Sequence, residues 1–241
     1  MTLVLLVRHG LTATTGTVLT GRQTGIPLDD RGREQAAALA ARLAAVPLDA
    51  IITSPLERCR QTAEAIAAAQ ADPRPAVTDD EQLSECRYGD WTGQPLKVLA
   101  KDPLWPVLQA HASAVRFPGA DAESILDMQH RAVSAVRGWN SRLGPDAAYV
   151  ICSHGDVIKS VLADSLGMHL DQFQRIQVDP CSLSVIRYTP LRPFLIRMND
   201  TGGGTADLAQ RSASPEEAGQ QPDGEQTAAE SDAMIGGGAG G

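Results

Sequence analysis

The chain has 241 residues, 43% of them hydrophobic, 21% charged and only 4% aromatic, so its core must be built mainly from Ala, Val, Leu and Ile. Its formal charge of −8 is unevenly placed: residues 200–241 hold eight acids against the single base Arg211, whereas residues 1–199 hold 21 acids and 20 bases. That near-neutral body excludes a nucleic-acid binder of the basic-patch kind, and no apolar run approaches the roughly 20 residues that a membrane-crossing helix requires.

Leu3–Val7 is a continuous apolar run and predicts a buried strand. No basic segment precedes it and Arg8 and His9 cut it off, so it does not read as a signal peptide. Asp30–Val46 predicts an Ala-rich helix closed by Pro47, and Ala50–Thr53 a second strand. Ser54-Pro55-Leu56-Glu57 has the form of a capping box, with Ser54 as N-cap of a helix to about Gln70. A short strand is expected near Ala76–Thr78. Residues 95–120, broken by Pro95, Pro103, Pro106 and Pro118, predict short helices or loop. A long helix over Ala122–Leu143, a strand over Ala147–Cys152 and a helix over Gly155–Leu166 follow, then a strand pair at Ser182–Tyr188 and Phe194–Met198.

Repeated strand–helix units without an internal repeat predict a three-layer α/β/α sandwich with a mostly parallel sheet, occupying 1–199. From Thr201 onward there is no aromatic residue, Leu208, Met234 and Ile235 are the only large hydrophobes, and Gly runs fill 202–204 and 236–238. Such a composition cannot offset its own ordering entropy and predicts a disordered acidic, Gly-rich tail over 200–241. Cys59, Cys86, Cys152 and Cys181 show no metal-ligand spacing and predict reduced thiols in a cytoplasmic protein.

The chemistry lies at the ends of the strands. The first runs into Arg8-His9-Gly10, the second is followed by Arg58, and the third major strand ends in Ser153-His154-Gly155. In an open α/β sheet, ligands bind outside the carboxyl ends of the strands, so these residues should converge although they span 147 positions. Two guanidinium forks and two helix N-termini, near Ser54 and Gly155, suit a tetrahedral oxyanion. A histidine held among cations is a neutral nitrogen nucleophile, suited to accept a phosphoryl group. Taken singly, each residue also has an ordinary structural explanation, and Arg60 reads as part of a solvated helix face. Tyr88, Trp91, Leu104, Trp105 and Phe117 read equally well as pocket wall or as a small core.

The chain resembles the histidine phosphatase superfamily, also called the phosphoglycerate-mutase-like family. The resemblance is carried by Leu5-Leu6-Val7-Arg8-His9-Gly10, Thr20-Gly21, Pro27-Leu28 and Gly32, then Ser54-Pro55-Leu56-Glu57-Arg58 with Gln61-Thr62-Ala63. Leu83-Ser84-Glu85, Tyr88-Gly89-Asp90-Trp91-Thr92-Gly93 and Ser153-His154-Gly155 complete it. It implies that His9 becomes a phosphohistidine, that Arg8, Arg58 and His154 hold the phosphoryl oxygens, and that Glu85 is the general acid. It places Thr12, Thr15, Thr20, Gly21, Arg87, Tyr88 and Gly155 around a small phosphorylated metabolite, with neither metal nor cofactor, and leaves homo-oligomerisation open. Thr15 stands where many members have Asn. Asp156 stands where mutases have Asn, and it would repel an anionic substrate unless turned into its helix as a first-turn cap.

Three functions fit such a chain: a phosphohydrolase, a phosphomutase, or a phosphate-binding module without catalysis. None of Arg8, His9, Arg58, Glu85 or His154 is missing, which argues against the third. His154 follows Glu85 by only 69 positions, and no adjacent basic pair lies in 95–120 to hold an intermediate during reorientation. The resemblance of Gly89-Asp90-Trp91-Thr92-Gly93 to the phosphatase branch also favours the hydrolase.

Overall fold

The first apolar run forms β1 (Thr2–Arg8), and β2 (Ala50–Thr53), β3 (Val77–Asp79), β4 (Ala148–Ser153), β5 (Leu183–Tyr188) and β6 (Pro193–Asp200) join it in one sheet. The computed structural model describes residues 1–202, so the expected disordered tail lies, from residue 203 on, outside the described residues. Asp200, assigned to that tail by composition, instead ends β6 and pairs with Arg42 and Arg197. The strand order is β3-β2-β4-β1-β5-β6. β1, β2 and β3 run parallel to β4, and β5 alone is reversed, antiparallel to both β1 and β6.

Alternate side chains of the central strands enter two different cores. Val4, Leu6, Ile52, Tyr149 and Ile151 face one side, and Leu5, Val7, Ile51, Val150 and Cys152 face the other. A strand covered on both faces has no polar alternation, which is why these segments read as unbroken apolar runs. The second core is closed by α1 (Asp30–Leu43) and α2 (Glu57–Ala68). The first is closed by α3 (Leu96–Leu99), α4 (Leu104–Ala110), α5 (Ile125–Leu143) and α6 (Gly155–Ser165). The three-layer sandwich is therefore the fold.

Helix starts correct the sequence expectations. Asp29 caps α1 by accepting from Gly32 N at 2.8 Å, and α1 stops at Leu43, three residues before the expected end. Ser124 and Asp127 form a complete capping box on α5, which therefore starts three residues later than Ala122. Ser54 does not cap α2. Leu56 is extended, its N–H reaches Ser54 Oγ only at 3.4 Å, and the helix starts at Glu57, whose carboxylate accepts from Gly25 N instead.

Candidate active site

The sheet order puts the carboxyl ends of β2, β4 and β1 side by side. Arg8 is in register with Ser153 and Thr53 with Cys152. The parallel pairing continues one residue beyond the strands, since His9 N donates to Ser153 O (3.0 Å) and Ser54 N to Cys152 O (2.9 Å). Gly10 then passes so close to α1 that a Cβ on it would lie 2.6 Å from Gly32 O, while one on Gly32 would lie 2.0 Å from Leu11 O. Only glycine at both positions lets the strand end and the helix start touch, and this turns His9 over the end of the sheet.

His9 is buried, and its Nδ1 lies 2.7 Å from Gly10 O. A carbonyl only accepts, so Nδ1 carries the proton and Nε2 holds the lone pair. Burial, then Arg58 and Arg8, hold its pKa well below that of an ordinary histidine, so the ring is neutral at pH 7. The His154 ring meets it edge-on at 5.2 Å. His154 is fully buried and has the opposite tautomer: its Nε2 donates to Ser54 Oγ (2.8 Å), while Nδ1 faces the donor Arg58 Nη2 at 3.4 Å. Ser54, read from sequence as a helix cap, is the histidine's partner.

Arg58 enters from the first turn of α2. Its Nη2 donates to Gly21 O (2.7 Å), and its buried Nε has no acceptor among the described residues, as suits a group that meets an anion. Arg8 donates from Nη1 to Val178 O (2.8 Å). Glu85 comes from a loop, and its backbone carbonyl is held by Arg22 Nε (2.7 Å) and Arg131 Nη2 (3.0 Å). Arg131 in turn forks onto Glu123. The Glu85 carboxyl accepts from Cys86 N (2.9 Å) and lies 4.0 Å from His154 Nδ1. Burial, then the charge of Asp156, raise its pKa to about 7, against the pull of the Cys86 N–H, Arg58 and Arg131.

Arg8, His9, Thr12, Thr15, Thr20, Gly21, Arg58, Glu85 and Tyr88 line one cavity of about 40 Å³, with Gly16, Val18, Leu19 and Leu96 completing it. That is room for on the order of three water-sized groups, the scale of a phosphoryl group and not of a whole metabolite. Thr12 Oγ1 lies 2.9 Å from Thr15 Oγ1, joining the two predicted hydroxyls. His154 and Gly155 stand behind the lining, Gly155 as the first residue of α6. Arg87 is exposed and off the lining; its backbone is tied to Glu123, the N–H donating to Oε1 and the carbonyl accepting from Glu123 N. Trp91, Trp105 and Phe117 pack on one another in the core and Leu104 packs against it, so Tyr88 is the one expected wall residue that reaches the cavity. Asp156 lies in the first turn of α6 and accepts from Tyr88 Oη at 2.7 Å. Among the described residues no three His, Cys, Asp or Glu side chains are grouped to hold a metal ion.

Sequence reasoning missed Arg22, Arg131, Glu123 and Lys159, which are isolated charges in helices and loops with no local pattern to mark them. No helix among the described residues is long and apolar enough to cross a membrane.

The chain is 30% identical over 214 residues to phosphoserine phosphatase 1 of Hydrogenobacter thermophilus, covering 83% of this chain and 93% of that one. It is 26% identical over 190 residues to 2,3-bisphosphoglycerate-dependent phosphoglycerate mutase 2 of Gloeobacter violaceus, covering 75% and 83%. The phosphoserine phosphatase of Entamoeba histolytica, solved with 3-phosphoglyceric acid, superposes with a TM-score of 0.73 at 25% identity, covering 83% of this chain and 98% of that one. The profile of the histidine phosphatase superfamily (branch 1) matches residues 4–201, and the chain belongs to that superfamily.

Proposed function

We propose that the protein is a phosphatase that hydrolyses a small phosphorylated metabolite through a phosphohistidine on His9. The observation that carries the reading is the pairing, in one small cavity, of a neutral histidine with a carboxyl whose pKa is about 7. His9 Nε2 attacks phosphorus as the bond to the leaving oxygen breaks, and Glu85 gives its proton to that oxygen. The Glu85 carboxylate then takes a proton from water, whose oxygen attacks phosphorus and releases Nε2. Arg8 and Arg58 neutralise the phosphoryl oxygens through both steps, with His154 braced behind them by Ser54. The four buried, unpaired cysteines fit a reducing, cytoplasmic location.

Hydrolysis is preferred to phosphoryl migration because the cavity lining holds two cations, Arg8 and Arg58, both needed by the phosphoryl group. Apart from His9 and Glu85, the rest of the lining is hydroxyl, glycine or apolar, with no third cation to hold a second anionic group while an intermediate turns. The mutase reading keeps support from the mutase named among the relatives. A panel of phosphorylated metabolites assayed for both inorganic phosphate and positional isomers tests the choice. Phosphate release with no isomer is expected; an isomer formed faster than phosphate would establish the mutase.

A further inference from the structure

Glu85 lies in residues 84–88, which form neither helix nor strand, so no regular ladder of main-chain hydrogen bonds holds it. An acid that must meet a departing oxygen nevertheless needs a fixed direction. Here the fixing runs through one peptide group. The Cys86 N–H donates to the Glu85 carboxyl at 2.9 Å, and the oxygen of that same peptide accepts from Arg22 Nε (2.7 Å) and Arg131 Nη2 (3.0 Å). Because the peptide is planar, whatever fixes its oxygen also fixes the line along which its N–H points. Arg131 holds the loop a second time, donating from Nη1 to Gln82 O at 2.6 Å. One carboxylate joins the two arginines: Glu123 accepts from Arg131 Nε (3.0 Å) and Nη2 (2.6 Å), and its Oε1 lies 3.5 Å from Arg22 Nη2. Glu123 also grips the loop beyond Glu85, accepting from Arg87 N at 2.9 Å and donating from its own N to Arg87 O at 3.0 Å.

We propose that Arg22, Glu123 and Arg131 form a positioning clamp for the acid, in which Glu123 sets two guanidinium groups on the Glu85 carbonyl and so aims the Glu85 carboxyl. This rests on the reading of Glu85 as the general acid. None of the three lines the cavity, so the clamp acts through Glu85 and not on the phosphoryl group. Two like charges meet at one oxygen, and an anion touching both is what lets both stay there. Glu81 also approaches Arg22, at 4.0 Å, but it is an exposed side chain and makes no ion pair with Arg131 among the described residues. The side chains of Glu123, Arg131 and Arg22 are only 11%, 13% and 19% exposed, which sets them apart from loose surface pairs. Hydrogen bonds between withdrawn charges of this kind are short and directional, as a clamp requires.

The test is a double-mutant cycle on kcat/KM in wild type, Glu123→Gln, Glu85→Gln and Glu123→Gln/Glu85→Gln, with β-glycerophosphate as alkyl phosphate and p-nitrophenyl phosphate as aryl phosphate. Glutamine keeps the length and one acceptor oxygen of Glu123 and removes its charge. In the wild-type background Glu123→Gln should lower kcat/KM about tenfold for the alkyl phosphate and less than about threefold for the aryl phosphate, whose leaving group needs little protonation. In the Glu85→Gln background the same change should lower the alkyl rate less than about twofold, because no acid remains to be aimed. Arg22→Met removes one of the two donors to the Glu85 carbonyl, and carries the same comparison if Glu123→Gln does not fold. An equal loss on both substrates, a loss that persists undiminished in the Glu85→Gln background, or no loss at all overturns the proposal and leaves the acid assignment standing. Equal impairment of both substrates by Glu85→Gln overturns the acid assignment and the proposal with it.

Discussion

Glu85 shows how much a single buried carboxyl costs and supplies. With its pKa raised from about 4.5 in the unfolded chain to about 7 in the fold, the native state binds the extra proton between those values. Its contribution to stability is therefore present below pH 4.5 and is lost as pH rises to 7. Glu85→Gln, which cannot ionise, should gain melting temperature relative to wild type between pH 5 and pH 8; a constant difference would show an ordinary carboxyl. The same variant should be severely slowed on alkyl phosphates and mildly on p-nitrophenyl phosphate, whose leaving group needs little protonation. Arg58→Ala should lower kcat/KM by about 100-fold or more, the scale of one lost transition-state donor. A lower melting temperature with unchanged kcat/KM would mark Arg58 as structural. Arg8, His9, Arg58 and Glu85 were legible because each sits in a motif. Arg87, which the resemblance set beside the metabolite, is instead exposed, and Arg131 comes in from α5 to the Glu85 carbonyl.

At the scale of elements, the strands were readable because coverage on both faces leaves an unbroken apolar run, and β2 falls on the residues expected. The helix starts were less so. Ser54 and Ser124 both precede an acid three residues on, yet only Ser124 closes a capping box. Ser54 Oγ is engaged by His154 Nε2, a partner 100 residues away that no local pattern records. The two serines should thus separate in experiment. Ser124→Ala should cost about 1 kcal/mol of stability with kcat unchanged. Ser54→Ala should lower kcat/KM by about tenfold through a loosened His154, with a smaller effect on melting. Thermal unfolding and steady-state kinetics on both variants check this, and the reverse pattern would restore Ser54 to the role of a helix cap.

The whole molecule joins three parallel strand ends, two of them feeding helices, over a cavity that admits little more than a phosphoryl group. Val18, Leu19 and Leu96 supply the apolar part of its lining. The acidic segment 203–241 lies outside the described residues, and its composition predicts that truncation after Gly202 leaves melting temperature and kcat/KM nearly unchanged. A large loss of either would show that the tail packs on the domain. The claim on which the rest depends is the covalent step at His9. Rapid quench of the enzyme with a ³²P-labelled substrate should trap a stoichiometric, acid-labile and base-stable label that maps to His9 and is absent from folded His9→Ala. Stoichiometric label in His9→Ala, or full turnover by that variant, would contradict the account.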